Sequence, residues 1–357
     1  MLSRVHQIQC CLRRQFASLP LKYNVEPLTE RSLLRVSGTD VADYLQGLIT
    51  NDVTHLSHGT GSIFTMFLNT KGRILFDAIL YRTVSENVFL MECDRRGIEM
   101  FQKHLKMYRV RRKVDVSSVD TEMCVYAMFD PHHTDSGKSV HEISRHLEGL
   151  IVPIEELNEI LPETSKTCKM FKDVHIYSDP RVANLGVRLI APRNLDLRKE
   201  IAKVFNVESN PSQERSYQWL RYTLGVGEGL DDLPIDNSFP LEANCDYLHG
   251  ISFHKGCYIG QELTARTHHT GVVRKRLMPL YFKDQLKSIP EDSKIISEST
   301  NLGKLRGVTG NVGLALLRIE KALSVSQICV GDGIATTSKP FWWPIEAPKE
   351  RTSLSKN

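Results

Sequence analysis

The chain has 357 residues and a formal net charge of +4, since 46 Lys and Arg stand against 42 Asp and Glu. That length is too great for one hydrophobic core and fits two or three domains of roughly 100–200 residues each. No apolar run approaches the roughly 20 residues that a membrane helix needs, which excludes an integral membrane protein. The 8 cysteines include no CxxC pair, which argues against a zinc ribbon or a self-contained ferredoxin.

The first 24 residues have the pattern of a targeting segment. They contain Arg and Lys but no acid, and their apolar residues recur every three to four positions. A basic amphipathic helix without acids is typical of a mitochondrial transit peptide, which we predict over residues 1–20. A disordered basic tail is the alternative. Import would place the mature chain in the mitochondrial matrix, where free thiols or metal ligands are expected rather than disulfides.

Alternating strands and helices are predicted after this segment. Asp40 and Asp94 are each suited to cap a helix. The predicted helices are Val41–Gly47, Asp94–Tyr108 and 213–224. The predicted strands are 32–36, 62–68, 73–82, 110–116, 124–129 and 186–191.

Two further regions differ in composition. Residues 130–178 are polar and contain three prolines, and we interpret them as a long insertion. After residue 273, short strands alternate with glycine turns, which predicts a small antiparallel barrel or sandwich as a C-terminal domain. Its predicted strands are 276–282, 293–297, 303–309, 312–318 and roughly 334–341.

The residues most suited to chemistry lie in 249–276. This stretch contains five Lys or Arg and four His against one acid, Glu262. Cys257 stands between Gly256 and Gly260, whose missing side chains permit tight turns and the close approach of a partner. Nearby cations such as Lys255 would lower the pKa of the thiol and favour the reactive thiolate.

Ordinary structural roles compete with this interpretation. A lone cysteine is most often a small buried apolar residue, and Tyr258 is a plausible core residue. The adjacent His268 and His269 are weak candidates for metal binding, because successive residues on a strand face opposite ways. The cysteines at 93, 124, 168, 245 and 329 lack comparable surroundings, and we interpret them as structural.

The octapeptide Lys255–Glu262 resembles the KGCYxGQE signature of the YgfZ-type iron–sulfur maturation proteins. These are relatives of the aminomethyltransferase of the glycine cleavage system. The resemblance covers most of the chain from about residue 25 onward, apart from the insertion. It extends to Leu45–Asp52, Gly72–Asp77, Pro240–Asn244, Thr264–Thr267 and Gly310–Leu317.

The resemblance implies both a fold and a function. The fold would be α+β, with two intertwined α/β modules of the folate-binding aminomethyltransferase type over 21–275, a C-terminal antiparallel β-barrel over 276–345 and a tail over 346–357. The function would be assembly of iron–sulfur clusters late in the maturation of mitochondrial 4Fe-4S proteins, together with A-type carrier proteins.

One thiol cannot hold an iron–sulfur cluster, because a 2Fe-2S cluster takes about four protein ligands. Cys257 is therefore expected to be a metal ligand that shares a 2Fe-2S cluster with an A-type carrier. Gln261 and Glu262 are expected to organise the loop by hydrogen bonding rather than to bind iron. The predicted motif and partner-facing residues are Lys255, Gly256, Tyr258, Gly260, Gln261, Glu262 and Arg266.

Two other functions remain open at this stage. The chain could be a folate-dependent one-carbon transferase that binds tetrahydrofolate through Asp77, Glu242 and Asn244. The aminomethyltransferases lack the KGCYxGQE motif and carry an acidic pair near Asp77, which argues against this enzyme. RNA binding through 249–276 is the weakest alternative, because the mature chain is close to neutral. No membrane partner is expected.

Overall fold

The computed structural model describes residues 23–58, 61–131, 169–171, 173–202, 215–286 and 294–344. The predicted transit peptide, most of the predicted insertion and the C-terminal end of the chain lie outside these residues. The described strands form two five-stranded sheets and one closed barrel, and every strand pair is antiparallel. This confirms the predicted α+β class with a C-terminal barrel.

The first sheet has the strand order β3-β4-β5-β2-β6. Its strands are β2 (Arg31–Ser37), β3 (Ser62–Leu68), β4 (Ile74–Arg82), β5 (Val88–Asp94) and β6 (Asp115–Ser118). The strand predicted over 110–116 is wrong, because residues 109–112 form a turn and only the last part of that range is extended. Val110 has a φ of 49°, which is incompatible with a strand.

The second sheet has the order β1-β7-β10-β9-β8. Its strands are β1 (Asn24–Pro27), β7 (Met123–Phe129), β8 (Lys169–Phe171), β9 (Val174–Ser178) and β10 (Val187–Pro192). The first strand of the chain pairs with β7 of this sheet, whereas the next five belong to the first sheet. The chain thus enters the second module before it builds the first, so the two modules are intertwined.

The helices are short, and they pack against the two sheets and against the strands of the C-terminal barrel. They are α1 (Val41–Gln46), α2 (His55–His58), α3 (Ile98–Tyr108), α4 (Leu197–Ala202), α5 (Tyr217–Leu224), α6 (Gly229–Asp232), α7 (Gln261–Thr270) and α8 (Ile319–Leu323). Asp94 accepts a hydrogen bond from the backbone N–H of Arg96 and begins the turn that leads into α3, as predicted. Among the described helices, none has the length and apolar character needed to cross a membrane.

Asp40 is the N-cap residue of α1, as predicted, but it does not cap the helix through its side chain. The side chain of Asp40 makes no capping hydrogen bond to α1. Its carboxylate instead accepts a hydrogen bond of 2.8 Å from the backbone N–H of Lys113, on the turn that follows α3. A tertiary contact has replaced the local one that the sequence predicts.

A buried network of charges joins the two sheets. Arg31 of β2 lies 2.8 Å from Glu92 of β5, while Arg188 of β10 lies 2.5 Å from Glu228 and 3.6 Å from Glu92. All four side chains are at least nine-tenths buried. Because breaking one partner of such a network leaves a buried charge uncompensated, the network fixes how the two sheets meet.

The barrel contains β11 (Lys275–Phe282), β12 (Lys294–Ser297), β13 (Thr300–Thr309), β14 (Val312–Arg318), β15 (Ile328–Val330) and β16 (Gly333–Thr336). Four of these strands match the predicted ones closely, and β15 is missing from the prediction. The last strand ends at Thr336, earlier than predicted. The inside of the barrel is lined by apolar side chains, and these form a core separate from the cores of the two sheets.

Candidate functional site

Cys257 lies in an exposed loop that leads into α7. Of the five cysteines in the described part of the chain, it is the exposed one; Cys93 and Cys245 are buried, and Cys124 and Cys329 are half-buried. A Cβ atom built on the neighbouring Gly256 would meet no atom within 4 Å. The thiol is therefore accessible to solvent, and the space beside it is open to a second molecule.

Lys255 anchors the loop to the first module. Its Nζ donates hydrogen bonds of 2.6–2.7 Å to the carbonyl oxygens of Gln46, Ile49 and Asn51. Its ammonium group also lies 5.1 Å from the centre of the Tyr258 ring. Burial lowers the pKa of Lys255 to about 8.

The prediction that Lys255 faces a partner is thereby corrected. All three protons of an ammonium group can be used by the three carbonyl oxygens, so none is left for a docking protein or for the thiol. The sequence suggests only that a cation stands two residues before Cys257. It does not show that the carbonyl oxygens of Gln46, Ile49 and Asn51, at and after the end of α1, all point toward the Lys255 ammonium group.

The second glycine of the motif holds the loop against the first sheet. Gly260 has a φ of 78°, and a Cβ atom there would lie 2.3 Å from the carbonyl oxygen of Asn69 and 2.8 Å from the Cβ of Leu68. The backbone N–H of Ile259 donates to the carbonyl oxygen of Gly47 at 3.1 Å. The loop thus sits between the β3–β4 hairpin and the end of α1.

Gln261 organises the loop as the sequence suggests. Its Oε1 accepts a hydrogen bond of 3.1 Å from the backbone N–H of Tyr258, which closes a turn at the start of α7. Tyr258 is half-buried and packs against the apolar core that includes Phe64 and Leu68. Burial raises the pKa of Tyr258. Glu262 and Arg266 are exposed on α7, so their side chains are accessible to a partner.

The two histidines after the motif lie on a helix and not on a strand, which corrects the reason given for discounting them. The ring of His268 stacks on Phe253, with centroids 3.6 Å apart and an angle of 12° between the planes. The pKa of His268 is lowered mainly by burial and to a smaller extent by the charge of His269. This stack packs the C-terminal half of α7 against the start of the Cys257 loop.

Cys257 is the thiolate ligand that this site can offer. Among the described residues, no three His, Cys, Asp or Glu side chains come together in a way that could hold a metal ion. The donor set therefore fits one corner of a cluster, and the remaining ligands would have to come from another molecule.

The three residues predicted to bind tetrahydrofolate have different surroundings in the structure. Asp77 is buried, lies 3.1 Å from Arg31 and accepts a hydrogen bond from the backbone N–H of Gly229. Asn244 is also buried, and its amide donates to the carbonyl oxygen of Leu277. Glu242 lines a pocket of only about 10 Å³.

A larger cavity of about 190 Å³ lies between β1, α5 and α6. Its lining includes Arg31, Arg221 and Glu228 but none of the three predicted folate residues. The assignment of these three residues to tetrahydrofolate stays a prediction.

Comparison with known proteins gives matches at both ends of the chain. Residues 28–144 match the family described as GCVT N-terminal domain, and residues 274–345 match the family described as CAF17, C-terminal beta-barrel domain. The chain is similar to a crystal structure of glycine cleavage system aminomethyltransferase T from Bartonella henselae. That similarity covers 92% of this chain and 89% of the other, with a TM-score of 0.61 and 14% sequence identity, so it shows the fold alone.

Curated relatives match over nearly the whole length. The iron–sulfur cluster assembly factor IBA57, mitochondrial, of Mus musculus is 35% identical over 342 residues, which is 90% of this chain and 85% of the relative. The human protein of the same name is 35% identical over 340 residues, which is 89% of this chain and 84% of the relative. A homologue from Dictyostelium discoideum is 33% identical over 283 residues, 73% of this chain and 63% of the relative. With the exposed Cys257 loop and the two-module fold, these matches show that the chain belongs to the IBA57 family of iron–sulfur cluster assembly factors.

Proposed function

We propose that this protein is a mitochondrial iron–sulfur cluster assembly factor that acts in the matrix, late in the maturation of 4Fe-4S proteins. In this proposal Cys257 supplies one ligand to a 2Fe-2S cluster that an A-type carrier protein completes with its own thiolates. The names of the curated relatives support the general role and the mitochondrial location.

The observation that carries the shared-cluster proposal is the accessibility of the Cys257 sulfur. A cluster with about four protein ligands cannot be held by one thiolate, and the described residues offer no second one beside it. The open space next to Gly256 gives room for a partner that brings the missing ligands.

The loop is held in place before any partner arrives. Lys255 and Gly260 tie its two ends to the first module, so little conformational freedom remains to be lost when the carrier docks. The exposed Arg266 would offset the negative charge of a thiolate-bound cluster and favour an acidic partner surface.

The test is to mix the purified protein with an A-type carrier under anaerobic, reducing conditions, with and without iron and sulfide. Size-exclusion chromatography with light scattering reports the complex, and visible absorption reports the cluster. We expect a one-to-one complex with the absorption of a 2Fe-2S cluster for the wild type and for the matched control Cys329→Ser, since Cys329 lies in the barrel.

Cys257→Ser should lose the cluster-dependent complex and keep its melting temperature. If the Cys257→Ser pair retains the visible absorption, the shared-ligand proposal is wrong. Equal loss in the Cys329→Ser control would also contradict it, because the effect would then not belong to the Cys257 loop.

A further inference from the structure

A run of basic residues follows the middle of α3 and has no role in the site described above. Residues 103–113 contain six Lys or Arg and no Asp or Glu. Within the described residues, five of these cations are exposed and form no ion pair with a carboxylate. They are Lys103, Lys106, Arg111, Arg112 and Lys113. The carboxylate of Asp40, which accepts a hydrogen bond from the backbone of Lys113, lies close enough to Lys113 and Arg112 to offset part of their charge.

Apolar side chains project from the same surface. Met100 is 48% exposed, Met107 is 63% exposed and Val110 is 81% exposed. Met100, Lys103 and Met107 are spaced by three and four positions, so they share the face of α3 opposite the buried Phe101. We call this set of eight residues the basic–apolar surface. It contains Met100, Lys103, Lys106, Met107, Val110, Arg111, Arg112 and Lys113.

The backbone of this surface is strained. Val110 has a φ of 49°, a region that β-branched residues rarely adopt because the side chain crowds the backbone. That conformation puts an apolar side chain out into solvent between Arg109 and Arg111. Nothing in the packing of the described residues requires an exposed valine at this position, which points to a role outside the folded chain.

We propose that the basic–apolar surface docks the protein onto an anionic phospholipid bilayer. Lys and Arg side chains would lie among the lipid phosphates, while Met100, Met107 and Val110 would enter the layer just beneath them. Clustered Lys and Arg beside exposed apolar side chains are the combination that favours binding to an anionic bilayer surface. This inference concerns the location of the protein and is independent of the cluster-sharing proposal.

A protein partner or a nucleic acid fits these residues less well. Lysine is depleted at the centres of protein interfaces, whereas Lys103 shares the face of α3 that carries the exposed Met100 and Met107. Neither of the two cavities described above is lined by residues of this surface, so the apolar side chains line no groove there for a peptide. A nucleic acid backbone would satisfy the cations but would leave the methionines and the valine in water.

Docking would also orient the cluster site. The hydroxyl of Tyr44 in α1 donates to the carbonyl oxygen of Leu105 in α3, and the carbonyl oxygens at the end of α1 hold the Cys257 loop. The basic–apolar surface and the loop are thus anchored to the same short helix.

The test is flotation of the full-length protein with two kinds of vesicle. One kind is phosphatidylcholine alone, and in the other 30% of the lipid is cardiolipin. Because residues 1–24 are also basic, every protein compared carries Arg4→Gln, Arg13→Gln and Arg14→Gln. The test variant adds Lys106→Gln, Arg111→Gln and Arg112→Gln. The matched control adds the same change of charge at three exposed lysines of the barrel, Lys283, Lys304 and Lys321.

We expect binding to the anionic vesicles only, and weaker binding at high salt. About 1 kcal/mol per basic residue near the surface corresponds to a loss of affinity of roughly a hundredfold in the test variant. The control variant should retain most of the binding. A second variant, Met107→Gln with Val110→Asn, should weaken binding without lowering the melting temperature, because asparagine tolerates the φ of residue 110 better than valine.

The proposal is overturned if anionic vesicles do not bind at low salt, or if the test and control variants bind equally. It is likewise overturned if the test variant loses binding to an acidic protein or an oligonucleotide while the parent protein ignores vesicles. If the variant with both Met107 and Val110 changed binds anionic vesicles with unchanged affinity, the proposed insertion of these side chains into the bilayer is wrong.

Discussion

The two glycines that flank Cys257 should respond in opposite ways to the same substitution. At Gly260 the φ of 78° costs an alanine about 1–2 kcal/mol. The new Cβ would also lie 2.3 Å from the carbonyl oxygen of Asn69, so the hairpin or the loop must move. Overpacking of this kind costs about 1–3 kcal/mol, which gives about 2–5 kcal/mol in total for Gly260→Ala.

Thermal unfolding, followed by circular dichroism or calorimetry, measures this loss. For a chain of 357 residues, 1 kcal/mol corresponds to a shift of roughly 1–2 °C, so we expect Gly260→Ala to melt at least about 2 °C below the wild type. Gly256→Ala is the matched control, because its Cβ meets nothing within 4 Å and its φ is not in the left-handed region. That variant should unfold within about 0.5 kcal/mol of the wild type, as exposed substitutions usually do.

Equal melting temperatures for the two alanine variants would refute this reasoning. They would mean that the loop does not press on the β3–β4 hairpin and that Gly260 is free to relax. A loss at Gly256 instead of Gly260 would show that the packed side of the loop has been assigned to the wrong glycine.

Two further predictions concern the groups that hold the site and the sheets. Lys255→Met should lower the free energy of unfolding by about 2–4 kcal/mol. Each buried acceptor left without a donor costs about 1–3 kcal/mol, and removal of the partly buried charge recovers some of that cost. An unchanged urea midpoint would contradict the anchoring role. Burial alone would raise the pKa of Glu228, but the guanidinium groups of Arg188, Arg181, Arg31 and Arg221 hold it well below its usual range. Since its pKa is lower in the folded state, the stability that Glu228 contributes is present above pH of about 4.5 and is lost as the pH falls toward the folded value. Urea midpoints between pH 7 and pH 3 should therefore fall less steeply with acid in Glu228→Gln than in the wild type, and identical slopes would count against the network.

Element types were predictable where the sequence carries a local signal. Strands β3 and β4 follow from long apolar runs separated by Asn69-Thr70-Lys71-Gly72, and α5 follows from Tyr217, Leu220 and Leu224, all of which are buried. Helix α7 was missed because its polar sequence has no apolar stripe, and its place is set by Gly260 and by the Phe253–His268 stack. Such tertiary causes leave no periodic trace.

The site itself was only partly predictable. The motif identified the segment and Cys257 as its exposed thiol, but it could not show which motif residues face inward. Lys255 points into the first module because three carbonyl oxygens converge there, and those oxygens belong to residues about 200 positions earlier in the chain. Nor could it show that Asp77 contacts Arg31 and Gly229 or that Asn244 donates a hydrogen bond to Leu277.

The expectation that no membrane partner exists depended on the absence of a spanning segment, which tests only one kind of contact. A surface contact needs clustered cations and a few exposed apolar side chains, and residues 100–113 contain both. The small net charge of the whole chain, +4, concealed this cluster, because the charge excess is local.

The Cys257 loop is held against the first module on one side and open to solvent on the other, which is what the proposed sharing of a cluster requires of a single cysteine. If Lys255 and Gly260 did not hold the loop, a partner would have to order it on docking, at a cost of about 0.5–1.5 kcal/mol for each side chain immobilised. If Gly256 carried a side chain, that group would occupy the space through which the partner's thiolates must approach. The two glycines therefore have separate roles in this proposal, since Gly260 fits the loop to its own module and Gly256 leaves space beside the sulfur for a second protein.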